Sequence, residues 1–100
     1  MQFDGFDWDV GNWNKCQKHG ASVAEIESLF AGPLRVVPDP AHSATEQRLR
    51  AVGRSASGRW IFVAFTWRRN GDRALIRPIS ARPMRDKEVR FYEALPDPHQ

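Results

Sequence analysis

Apolar residues recur along this chain at two spacings, and the change of period divides it. Val23, Ile26, Leu29 and Phe30 lie three and four apart, which is helical spacing. They follow Ser22-Val-Ala-Glu25, where a serine and a glutamate three residues on can each accept the other's backbone N–H. Gly32-Pro33 stops this helix. A weaker helix is expected over about residues 10 to 19, capped by Asp9, with Trp13 and Cys16 or Gln17 on one face and Gly20 at its end. Phe3, Phe6 and Trp8 stand among Asp4, Asp7 and Asp9 in a short extended lead-in.

Beyond Gly32-Pro33 the pattern turns to that of strands. Leu34 to Val37 is a short apolar strand closed by Pro38-Asp39-Pro40, and Ala41 to Gln47 reads as a loop or single turn. Three longer strands follow, about Arg48 to Ser55, Arg59 to Trp67 and Arg73 to Ala81. Ser57-Gly58 and Asn70-Gly71-Asp72 have hairpin-turn chemistry, so an antiparallel meander is expected. Met84, Glu88, Phe91, Tyr92 and Leu95 then share one face of a closing helix that packs back on the sheet, and Pro96-Asp-Pro98 ends it. The order predicts one α+β domain over residues 1–100: two N-terminal helices, a curved antiparallel sheet and a C-terminal helix.

Composition narrows the function classes. No run approaches the roughly 18 apolar residues of a membrane span, and Met1-Gln2-Phe3-Asp4 lacks the basic and apolar regions of a secretory signal, so a cytoplasmic protein is expected. Cys16 is the sole cysteine and there are three histidines, which gives no internal disulfide and poor support for a metal site; no cofactor is expected. The net charge of +3 conceals a division, because residues 1 to 47 sum to −4 and the remainder to +7. That separation suits one face for a polyanion and another for a different partner, or two halves that neutralise each other on folding. Arginine outnumbers lysine twelve to three, and its planar fork binds phosphate bidentately.

Arg73-Ala-Leu-Ile-Arg77-Pro-Ile-Ser80-Ala-Arg82 sets fixed charge inside a strand pattern. A buried guanidinium without a counter-charge costs several kcal/mol, roughly, so these arginines need a carboxylate from within or a phosphate from outside. Alternation puts Leu75, Arg77 and Ile79 on one side and Ile76, Pro78 and Ser80 on the other. If the first side is core, Arg77 is expected to pair with an acid such as Glu46 or Glu88.

Several segments, in order, resemble the BrnT toxin family of the wider RelE/ParE-like superfamily. They are Phe6-Asp7-Trp8-Asp9; Asn14 with Lys18-His19-Gly20 and Ser22; Phe30; Asp39-Pro40-Ala41-His42-Ser43 with Glu46-Gln47-Arg48; Val52-Gly53-Arg54-Ser55 with Gly58-Arg59; and Ile76-Arg77-Pro78-Ile79-Ser80-Ala81-Arg82 with Glu88 and Tyr92-Glu93. The chain departs at Gly11 and Asn12, where related sequences carry better helix formers, at Gln47, which replaces a frequent acid, and at Pro83. The resemblance implies a RelE-like fold and a bacterial type II toxin, an endoribonuclease that arrests growth by cutting RNA. It further implies a ribbon-helix-helix, BrnA-like antitoxin as partner, a hetero-tetramer with two copies of each protein, and operator DNA bound through that complex, with no membrane role.

RNA supplies its own 2′-hydroxyl nucleophile, so a small ribonuclease can work without metal if arginines stabilise the phosphorane. Arg48, Arg59, Arg77 and Arg82 are the expected catalytic cluster. For proton transfer the candidates are His19, otherwise a helix cap; His42, which also serves as RNA contact; Glu46, otherwise an orienter of Arg48; and Glu88. Lys18, Ser80 and Tyr92 complete the RNA-binding set, although Tyr92 has the spacing of a packing residue. Alternation puts Trp60 with Phe62 and Trp67 with Phe65 on opposite faces, one of them available to RNA or antitoxin. The competing reading is a degenerate, non-catalytic module that only binds antitoxin or operator DNA.

Overall fold

The computed structural model describes residues 1–40 and 46–96. Its elements run β1 (Gly5–Phe6), α1 (Val10–Gln17), α2 (Val23–Ala31), β2 (Leu34–Pro38), β3 (Leu49–Arg54), β4 (Trp60–Asn70), β5 (Arg73–Pro83) and α3 (Asp86–Glu93). The α+β order is the expected one, but the lead-in does more than lead in. It forms a fifth strand: β1 pairs parallel with β5 at Leu75 and Ile76, giving the sheet order β1-β5-β4-β3-β2 with every other pairing antiparallel. No helix among the described residues is long and apolar enough to cross a membrane.

Both N-terminal helices begin in reciprocal caps. Ser22 and Glu25 form the expected box at α2. At α1 the box is Asp9 with Asn12: the Asn12 N–H donates to Asp9 Oδ1 at 3.0 Å and the Asp9 N–H to Asn12 Oδ1 at 2.7 Å. Asn12, a poor helix former by propensity, is buried, and its amide nitrogen donates to the carbonyls of Asp7 (2.9 Å) and Pro78 (2.8 Å). It therefore ties helix, lead-in and β5 together, which outweighs a propensity cost of a few tenths of a kcal/mol. Cys16 is the other buried α1 residue, while Trp13 is 45% exposed and packs edge-on to Trp8.

The core lies between these helices and one face of the sheet. Ile26, Leu29 and Phe30 of α2 meet Ala51, Ile61, Val63, Phe65, Ile76 and Ala81. Gly53 allows the close approach, since a Cβ there would sit 3.0 Å from Leu29 Cδ1 and from the Pro33 carbonyl oxygen. An edge-to-face chain of rings, Phe3–Phe6–Phe30–Phe65–Trp67, closes the end of the core under the lead-in.

Strict alternation fails in β5, and the failure matters for function. Phe65 pairs with Pro78 but Ala64 with Ser80, so Ile79 is a bulged extra residue that resets the period. Arg77, Ser80 and Arg82 stand opposite Thr66, Ala64 and Phe62, alternate residues of β4, and so share the face away from the core. The expectation that Ser80 faces with Ile76 and Pro78 is thereby corrected. Helix α3 lies over this second face. It is shorter than the spacing from Met84 to Leu95 suggested and buries none of its residues, touching the sheet through Tyr92 against Phe62 and through two ion pairs.

Asn12→Ala is expected to cost about 2 kcal/mol, because one change removes a cap and strands two carbonyls. Calorimetry should show the melting temperature falling by about 10 °C, whereas Val10→Ala on the exposed side of α1 should leave it nearly unchanged.

Candidate active site

On the outer face, strand register builds a shallow cleft. Arg50 pairs with Ala64 and Ala64 with Ser80, while Val52 pairs with Phe62 and Phe62 with Arg82. The small side chains of Ala64 and Ser80 make a low floor between taller neighbours. The cavity, about 320 Å³, is lined by His19, Asp39, Arg48, Arg50, Phe62, Ser80, Arg82 and Glu88 among others. His19 comes from the turn after α1, one residue beyond the capping residue Lys18, and is exposed.

Charge in the cleft is unequal. Buried Asp39 lies 3.9 Å from Arg48 Nε and 3.8 Å from Arg50, one carboxylate between two guanidinium groups. Arg82 is held bidentately by Glu88 at 2.9 and 2.8 Å, and its guanidinium carbon sits 4.5 Å from the centre of the Phe62 ring. Arg50 approaches the same ring at 5.6 Å. Among the described residues that line the cleft, three arginines thus face two carboxylates, a positive excess suited to a phosphodiester. The Arg82 pair and the backbone N–H of Arg85 hold the Glu88 carboxyl down to about 2.

The remaining arginines of the expected cluster lie elsewhere. Arg77 does not meet Glu46 or Glu88. It pairs with Asp9 at 2.8 Å and Asp7 at 3.6 Å, at the start of α1. The Asn12 backbone N–H, and next Arg77, hold the Asp9 carboxyl below its usual range. Arg59 grips Glu25 through two nitrogens at 2.6 and 2.9 Å and donates to the Gly20 carbonyl at 2.7 Å. Glu46 pairs with Arg68 rather than orienting Arg48. Lys18 is exposed and outside the cleft lining, and Tyr92 packs edge-on against Phe62, 6.0 Å between centroids. His42 lies outside the described residues.

Sequence reasoning passed over Arg50 and Asp39. The signal for Arg50 was present, since Arg48, Arg50 and Arg54 are spaced by even numbers along a strand and so share a face. Asp39 gave only a loop-like Pro-Asp-Pro. Cys16 is no rival nucleophile, because burial pushes its thiol up to about 11. Among the described residues no group of three or more His, Cys, Asp or Glu is placed to share a metal ion.

Residues 8–88 match the family described as "Ribonuclease toxin, BrnT, of type II toxin-antitoxin system". The chain belongs to the BrnT family. It is accordingly a ribonuclease toxin with RNA as substrate and an antitoxin as partner, and the resemblance read from its motifs is borne out. No curated protein matches the chain. The BrnT match ends at Glu88, the carboxylate that holds Arg82.

The Glu25 carboxyl, drawn down to about 2 chiefly by Arg59, links this framework to pH. A lowered carboxyl pKa stabilises the fold fully above its unfolded value near 4.5, and that contribution disappears as pH falls towards 2. Denaturant melts followed by circular dichroism should therefore show stability declining from about pH 4.5 to 2. Glu25→Gln should lower stability by about 2 kcal/mol at pH 7 and flatten the decline; an unchanged pH slope would refute the assignment.

Proposed function

We propose that this BrnT protein cuts RNA without metal, using Arg48, Arg50 and Arg82 to hold the scissile phosphate and His19 to move a proton. The observation that carries the reading is the convergence of a histidine and three arginines on one cleft floored by Ala64 and Ser80. In the reaction the 2′-oxygen attacks phosphorus, the bond to the 5′-oxygen breaks, and a 2′,3′-cyclic phosphate forms. One proton must leave the 2′-hydroxyl and one must reach the departing 5′-oxygen. Imidazole, which takes and gives protons near neutral pH, suits either task. The arginines stabilise the extra negative charge on the phosphorane, and Ser80 offers a hydroxyl to a phosphate oxygen.

Glu88 is a poor base for this chemistry, since its carboxyl is held at about 2 with both oxygens on Arg82. It acts instead as a substitute anion that RNA phosphate displaces. Arg59 and Arg77 serve as positioning residues. The first fixes the Gly20 carbonyl next to His19, and the second fixes the Asp9 cap at the other end of the same helix. The finer biology of the family fits this reading: growth arrest in the cytoplasm, and silencing by a ribbon-helix-helix antitoxin in a hetero-tetramer that binds operator DNA.

Two experiments test the proposal. Purified toxin, freed of antitoxin and supplied with chelator, should cleave RNA; His19→Ala and Arg82→Ala should each lose about 100-fold or more in rate while keeping their circular dichroism. Full activity in those folded variants would place the site elsewhere. Glu88→Gln should tighten binding of a non-cleavable 2′-O-methyl RNA by roughly three- to tenfold at low salt, read by fluorescence anisotropy. Weaker binding would show that Glu88 orients Arg82 for phosphate rather than competing with it.

A further inference from the structure

A second concavity, about 440 Å³, opens on the same face of the sheet beyond Phe62, between the end of α3 and strands β2 and β3. Its character differs from that of the cleft. The lining is mainly apolar, with Trp60, Tyr92 and Leu95 as its open hydrophobic surfaces above buried Val52, and Arg35 and Arg54 at the rim. Trp60 is the informative residue. Its indole N–H is shielded from solvent and has no hydrogen-bond acceptor among the described residues, although Trp60 itself lines the groove. What Trp60 offers a ligand is therefore its ring.

The rim arginines are held only lightly. Arg54 lies over the Trp60 ring at 5.6 Å and pairs with Glu93 at 3.1 Å, yet the two side chains are 61% and 45% exposed. An ion pair so exposed is readily exchanged for another carboxylate. Arg35 donates to the Pro96 carbonyl, a neutral partner that leaves its charge uncompensated at that contact.

We infer that this groove is the docking site for an acidic, apolar peptide segment of the antitoxin. Its leucine-like side chains would lie on Trp60, Tyr92 and Leu95, and one carboxylate would replace Glu93 on Arg54. The inference rests on the assignment of an antitoxin partner. Charge complementarity and the apolar lining favour peptide over RNA here, in contrast to the polar cleft with its phosphate-sized floor.

The test uses three defined probes on the intact toxin: a blocked 12-residue peptide with Glu and Leu at helical spacing, its counterpart with Lys for Glu, and a 2′-O-methyl oligouridylate. The acidic peptide should bind with a change in tryptophan fluorescence that is absent in Trp60→Phe, and the Lys peptide should bind at least about tenfold more weakly. Arg54→Ala and Arg54→Glu should weaken the acidic peptide by a similar factor while RNA cleavage continues at the wild-type rate. No peptide binding, equal binding of the two peptides, or wild-type affinity in the Arg54 variants would overturn the inference. Displacement of the peptide by the oligouridylate would make the groove an RNA subsite instead. Because cleavage is measured on the same variants, a failure here is distinguishable from a failure of the ribonuclease site.

Discussion

A guanidinium group cannot discard its charge at any pH a protein meets, so an arginine drawn out of water onto a sheet needs an anion close by. This constraint organises the molecule. Arg77 binds the start of α1 through Asp7 and Asp9, and Arg59 binds the turn between α1 and α2 through Glu25 and the Gly20 carbonyl. Arg82 binds α3 through Glu88. Each pair joins an arginine of the second half of the chain to an acid of a helix, its cap or its flank, and in the first two the acid comes from the N-terminal half. The separation of charge along the sequence thus becomes cohesion between helices and sheet, and the two halves do in part neutralise each other.

Neutralisation stops at the cleft. Arg48, Arg50 and Arg82 meet Asp39 and Glu88, and the excess of positive charge among the described residues sits above a floor of small residues, beside a histidine in the turn after a helix that other arginines hold fixed. The same interaction therefore fulfils two roles. Where the pairing is balanced it positions; where it is not, it leaves room for a phosphate. For a ribonuclease whose substrate brings its own nucleophile, positioning and charge are the main requirements.

Much of the architecture was legible because it rests on local signals. The Ser22–Glu25 box, the glycines of the hairpins and the two hydrophobic periods fixed the helices and the meander. What escaped depended on contacts distant in sequence. A two-residue strand such as Gly5–Phe6 has no period to read, and Asn12 reads as a weak helix former until Pro78 stands beside it. The partner of Arg77 was misjudged for a related reason. Glu46 and Glu88 are acids on nearby elements in sequence order, whereas the parallel pairing of β1 with β5 brings Asp7 and Asp9 from the far end of the chain. The bulge at Ile79 hid the common face of Arg77, Ser80 and Arg82, since one extra residue reverses every later side chain. His19, Arg48, Ser80 and Arg82 were nonetheless named from sequence and line one cleft.

The central claim is that the arginines divide into those that position and those that receive phosphate. Side-chain Nε–Hε resonances, followed by nuclear magnetic resonance while a non-cleavable 2′-O-methyl RNA is added, report each group separately. Arg82 and Arg50 should shift progressively with RNA, and the Glu88 carboxyl carbon should shift as its partner is taken, while Arg59 and Arg77 stay in place. Shifts concentrated at Arg59 and Arg77 with Arg82 unmoved would contradict the account.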